Sequence, residues 1–120
     1  MRTTGKLDYL EMPARGGTLD SVKSFYASAF GWSFTDYGPT YSAFEEGLDG
    51  GFDADMAAVS RPLPVLYSDA IEETLAQVQS AGGTILREIF AFPGGRRFHF
   101  ADPAGNELAV WGPAAENSEG

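Results

Sequence analysis

Cysteine is absent from the 120 residues, and histidine occurs once, as His99. The first absence removes disulfides, thiolate nucleophiles and every cysteine-based zinc or iron–sulfur centre. The second removes a two-histidine, one-carboxylate iron site and leaves any imidazole chemistry to a single position. Basic residues are scarce as well: 8 Lys and Arg stand against 17 Asp and Glu, a formal charge of −9. Such a balance repels nucleic acid and anionic membranes, so neither is expected as a partner. It serves solubility, or an acidic groove for a cationic ligand. No apolar run approaches the ~20 residues of a membrane span. The opening MRTTGKLDYLEM has no apolar core behind its basic start, which argues against a secretory signal and for a cytoplasmic location.

What remains is ordinary globular material, 43% apolar, in a chain long enough for one domain with its own core. KLDYLEM alternates as a strand, with Leu7, Tyr9 and Glu11 on one side. From Thr18 the period lengthens: Leu19, Val22, Phe25, Tyr26, Ala29 and Phe30 recur at three- and four-residue spacings. That spacing predicts an amphipathic helix with Phe25, Tyr26 and Phe30 in the core, Thr18 as N-cap and Gly31 as stop. Three strand-like pieces follow, WSFTDY, YSAFEE and GGFDAD, and then AAVSRPLP (57–64) reads as a linker. The second half repeats the order. VLYS is a strand, and a helix follows with Asp69 as cap, Glu72 in a capping box and Ile71, Leu75 and Val78 as its stripe. Gly82 and Gly83 stop it, and TILREIF, RFHFA and ELAVW are strands.

Both halves therefore read strand, helix, strand, strand, strand, an internal repeat of about 50 to 60 residues. One domain over 1–120 is expected, with module 1 at about 6–56, a linker at 57–64, module 2 at about 65–112 and a loose tail at 113–120. One helix covers only one face of each sheet, so the other faces are available to line a shared concave surface. The predicted class is α+β, two βαβββ modules forming a concave mixed sheet.

The stretch RFHFADPAGNELAVW (97–111) is read as a hairpin. Asp102, Pro103 and Gly105 suit the first, second and fourth positions of a type I turn. Arg97 and His99 share one face, opposite Phe98 and Phe100, and Glu107, Ala109 and Trp111 share one face of the second strand. Alternation alone leaves open which face meets a ligand.

This layout, with FYASAFGW (25–32), SAGGTIL (80–86) and FADPAGNELAVW (100–111), resembles the vicinal oxygen chelate superfamily. That group includes glyoxalase I, bleomycin-resistance proteins, extradiol dioxygenases and methylmalonyl-CoA epimerase. The resemblance runs from residue 6 to about 112, and its nearest look is to short glyoxalase-like members. It implies a divalent metal held by His or Glu from the first strand of each half and Glu from the last strand. Those places fall on Tyr9, Tyr67 and Ala109, which bind such metals poorly or not at all. No cofactor is therefore expected and a divalent metal is disfavoured; an all-carboxylate magnesium or manganese site through Glu11 and Glu107 is the remaining arrangement. The resemblance also implies a homodimer.

His99 is a candidate proton carrier, since its ordinary pKa near ~6.5 suits transfer at neutral pH; its plain reading is a strand residue. Tyr9 and Glu11 are candidates beside it for catalysis, and Tyr67, Glu107 and Trp111 for ligand binding. Each has a plain reading as strand filler, wet-end charge or packing. Arg96 and Arg97, the only adjacent basic pair, read as a holder of an anionic group or as a solvated strand end. Two functions follow: a glyoxalase-like small-molecule-binding protein with lyase or isomerase activity, or a non-catalytic protein that sequesters a drug or metabolite as bleomycin-resistance proteins do.

Overall fold

The computed structural model describes residues 2–15, 18–55 and 60–114. Residues 57–59 of the expected linker and 115–120 of the expected tail lie outside the described residues. Two compact units emerge, Tyr9–Leu63 and a second made of Met1–Asp8 with Pro64–Gly120.

In the first unit the order is β1 (Leu7–Pro13, of which Tyr9 onward belongs here), α1 (Leu19–Phe30), β2 (Thr35–Asp36), β3 (Tyr41–Glu45) and β4 (Asp49–Asp53). The strands lie in the order β2-β3-β4-β1. β1 runs parallel to β4, and β4, β3 and β2 are antiparallel neighbours. Of the piece WSFTDY only Thr35–Asp36 is strand; Trp32 and Phe34 instead pack against the Phe44 and Phe52 core beneath α1. Gly31 stops the helix as expected: it takes the left-handed conformation (φ 75°), and the Trp32 amide donates back to the Tyr26 carbonyl.

The helix differs from expectation at three residues. Phe25 and Phe30 are 57% and 64% exposed, whereas Leu19, Val22 and Tyr26 make the contact with the core. Phe25 sits about 100° round the helix from Tyr26, on the flank, and Phe30 is the last helical residue, where the chain turns away. Their rings gather on Tyr26 and each other, with Phe25 5.0 Å from Tyr26 and 6.2 Å from Phe30. Thr18 occupies the N-cap position but makes no side-chain cap bond.

In the second unit the order is β5 (Leu63–Tyr67, with Pro64 onward belonging here), α2 (Ile71–Ser80), β6 (Thr84–Phe92), β7 (Gly95–Ala101) and β8 (Glu107–Gly112). The strand order β5-β8-β7-β6 reproduces the first unit's plan, the first strand parallel to the last and the rest antiparallel. β5 starts at Leu63, inside the segment expected as linker, because a proline at position 64 fits a strand's first turns of chain where no ladder donor is needed. The Asp69 cap is not made. Ser68, fully buried, accepts from the Ala70 amide (3.0 Å) and pairs with the Thr74 hydroxyl (2.7 Å), while Asp69 bonds to Thr4. The hairpin turn forms as read: the Gly105 amide donates to the Asp102 carbonyl, and the Asp102 carboxylate accepts from the Ala104 and Asn106 amides. The fold is thus α+β, two βαβββ modules, with Ile71, Phe98 and Val110 as the core beneath α2.

Candidate functional site

Strand register assigns the faces that alternation left open. In the second unit Phe98, Phe100, Val110 and Leu66 pack on the α2 side. Arg97, His99, Glu107, Ala109, Trp111 and Tyr67 therefore point to the helix-free side, with His99 across from Ala109 and Arg97 across from Trp111. Arg96, one residue out of step, faces the other way and forks onto Glu72 of α2 at 2.5 and 3.3 Å. The adjacent basic pair is split between the two faces, and only Arg97 belongs with the histidine.

His99 is 1% exposed and held at both ring nitrogens. Its Nδ1 lies 2.8 Å from Glu107 Oε2, and the Nε and Nη2 of Arg97 lie 3.1 and 3.0 Å from its Nε2. A guanidinium only donates, so Nε2 accepts and the ring proton resides on Nδ1, directed at Glu107. Burial pushes the imidazole below its ordinary pKa; the Glu107 hydrogen bond pulls it back up, and the charges of Arg97 and Arg87 push it down further. The resting state is a neutral imidazole of one tautomer, bridging a carboxylate and a guanidinium. The Phe90 ring lies 5.9 Å from it.

Tyr67 and Trp111 meet edge to face at 5.2 Å. The Trp111 indole donates to Asp8 Oδ2 at 3.0 Å, and Arg2, itself paired with Asp8 at 3.1 Å, lies over the indole. The second unit thus brings together His99, Glu107, Tyr67 and Trp111 of the expected residues. It takes in Arg97 of the basic pair as well, and adds Phe90, Arg87 and Asp8.

Tyr9 and Glu11 belong to the first unit and share its helix-free face with Tyr41, Glu45, Asp49 and Asp53. The Tyr9 and Tyr41 hydroxyls are hydrogen-bonded to each other, and burial raises the pKa of both phenols. Gly51, across from Glu11, sits beneath that pair: a Cβ there would collide with both hydroxyls. Glu11 is 6% exposed. Sequence reasoning missed Tyr41 and Gly51, although the paired glycines inside a strand, Gly50-Gly51, signal a close approach.

The divalent metal implied by the family pattern does not fit these donors. Ala109 offers a methyl group, and the Tyr9 phenol is held protonated and bonded to Tyr41. Among the described residues no three of His, Asp and Glu group as metal ligands.

Comparison with solved structures places the fold among known proteins. Methylmalonyl-CoA epimerase from Mycobacterium tuberculosis superposes with a TM-score of 0.70 at 12% identity, covering 99% of this chain and 95% of that one. An NAD-dependent benzaldehyde dehydrogenase structure from Legionella pneumophila gives 0.72 at 14% identity, covering 88% and 97%. The Mn(II)-bound glyoxalase from Novosphingobium aromaticivorans gives 0.61 at 19% identity over 97% of this chain and 43% of that chain. At such identities the likeness is one of fold. No curated protein matches the sequence. The family model for the Glyoxalase/Bleomycin resistance protein/Dioxygenase superfamily matches residues 6–110, a span that holds the paired βαβββ modules but for the last two residues of β8, so the chain belongs to this superfamily.

Proposed function

We propose that this is a glyoxalase-like protein that binds a small organic molecule over the helix-free face of its second module. There it moves protons through His99, as a lyase or isomerase working without a divalent metal. The observation that carries the reading is the Glu107–His99–Arg97 chain, in which a buried, neutral imidazole has its Nδ1 proton directed at a carboxylate and its Nε2 covered by a guanidinium. A ligand group that draws Arg97 toward itself uncovers Nε2. The nitrogen can then accept a proton, and Glu107 on the far side of the ring offsets the charge that appears on the imidazolium. Tyr67 and Trp111 give the ligand's body an aromatic surface next to that chain.

The experiment is turnover of aldehydes, hemithioacetals, epoxides and acyl-CoA esters, with and without added divalent metal, by the wild type and H99Q. Metal-independent turnover that drops at least about a hundredfold in H99Q supports the reading, since positioned acid–base groups contribute on that scale. Activity that appears only with metal overturns it. A second reading, sequestration without turnover, is favoured by the same Arg97 cover on Nε2. It is the answer if a ligand binds and is recovered unchanged. The proposal extends to a homodimer in the cytoplasm, for which light scattering of the purified protein reads the mass. No helix among the described residues is long and apolar enough to cross a membrane.

A further inference from the structure

The register of β6 against β7 breaks twice, between Ile85 and Arg87 and again between Arg87 and Phe90. Ile85, Arg87 and Ile89 have the same parity, so an unbroken strand would carry all three on one face. Ile85 and Ile89 do pack on the α2 side. Arg87 does not: the first break turns it to the helix-free face, across from His99, and the second brings Phe90 to that face across from Arg97. As a result the Arg87 guanidinium stands 4.0 Å from the centre of the Phe90 ring and that of Arg97 5.9 Å from the same centre. Arg97 also lies 5.7 Å from the Phe92 ring.

Charge makes this gathering of cations unexpected in a chain with 8 bases for 17 acids. Arg2, Lys23 and Arg96 each meet a carboxylate, on Asp8, Asp36 and Glu72. Among the described residues Arg87 is given no hydrogen bond or ion pair; it rests on the Phe90 ring, across from His99. Two register breaks are therefore used to lift an arginine out of a core parity and set it against the same Phe90 ring that a second arginine approaches. That second arginine is oriented by a buried histidine, whose own ring is fixed by Glu107. Guanidinium groups have the planar fork that matches oxyanions.

We propose that Arg87 and Arg97 form a clamp for an oxyanion, a carboxylate or a phosphate, with Phe90 and Phe92 as its apolar floor and His99 as the residue that positions Arg97. This rests on the helix-free face of the second module being the ligand face, and adds the ligand's charge and the residue that reads it. Arg96 takes no part, since it is turned toward α2 and bound to Glu72.

A single histidine makes the test direct, because the imidazole signals in an NMR spectrum belong to one residue. Benzoate, phenyl phosphate and the neutral benzamide are titrated into the wild type, R87Q and R87K. Arg87 is exposed, so both variants should keep the wild-type melting curve. The clamp requires a saturable shift of His99 with benzoate or phenyl phosphate, weakened at least about tenfold in R87Q and less in R87K. The tighter of the two anions names the source of the oxyanion. Anions that bind R87Q as tightly as the wild type overturn the clamp. If benzamide shifts His99 as strongly as benzoate in both proteins, the clamp falls while the ligand face stands. If none of the three shifts His99, both fall.

Discussion

His99 converts its surroundings into a measurable pH dependence. Its pKa is lower in the folded protein than the ordinary ~6.5, with burial as the main cause. On acidification the unfolded chain takes up the proton first. Stability is therefore fully present above about pH 6.5 and is lost as the pH falls below it, by no more than about 1.4 kcal/mol per pH unit from one group. No other side chain has an ordinary pKa between 5.5 and 7.5, so urea titrations across that interval should show a decline in the wild type and a flatter line in H99Q. A wild-type line that rises on acidification would mean that Glu107 outweighs burial. Gly51 gives a second test at the same scale. A Cβ there meets the Tyr41 and Tyr9 hydroxyls, so G51A should cost about 1–3 kcal/mol by overpacking. Y41A removes both the hydroxyl and the ring carbon that crowd that Cβ, so the double variant G51A/Y41A should be less destabilised than the two single effects together. Additivity in the urea midpoints would show that the tyrosine pair does not dictate the glycine.

At the level of elements, α2 shows which local signals carried through. The stripe of Ile71, Leu75 and Val78 and the stop at Gly82 are legible because they depend on spacing and on a residue without a Cβ. The N-terminus was not, because Ser68 and Asp69 are adjacent capping types and only tertiary pairing with Thr4 decides between them. S68A should cost about 1–3 kcal/mol, since it strands the Ala70 amide and the Thr74 hydroxyl. D69A should stay within about 0.5 kcal/mol. Equal losses in urea would show that the Asp69–Thr4 bond steadies the helix start as much as the Ser68 hydroxyl does. β6 shows the reverse limit on legibility. Alternation placed Arg97 and His99 on one face correctly because β7 pairs with β8 without a break, and it would misplace Arg87 because β6 does not pair so with β7. The one trace in the sequence is an arginine between two isoleucines of its own parity, a charge where a core residue belongs. Phe25 and Phe30 failed for a related reason: helical spacing counts rings on a stripe but does not show where the sheet beneath them ends.

Across the whole molecule the two modules keep one topology and diverge in charge. Residues 6–56 hold nine acids and three bases, while 65–112 hold six and three. The helix-free face of the first carries Glu11, Glu45, Asp49 and Asp53; that of the second carries Arg87, Arg97 and Glu107 with the histidine, and the Asp8–Arg2 pair at Trp111. The repeat was readable from periodicity, but this divergence needed the faces, because the net −9 hides two arginines gathered on one face of an acidic chain. The combination predicts an unusual salt response. An anion approaching the protein feels the chain's net negative charge at long range and the two guanidiniums only at contact. Raising the ionic strength from about 0.01 to 0.15 M shortens the screening length from about 30 to about 8 Å. That suppresses the long-range repulsion while leaving much of the short contact intact. The association rate of phenyl phosphate, followed by stopped-flow fluorescence of the tryptophans, should therefore rise with salt, and that of benzamide should not change. A rate for phenyl phosphate that falls with salt would show that the local field of Arg87 and Arg97 already governs the encounter, and that the acidity of the rest of the chain does not reach the ligand's approach.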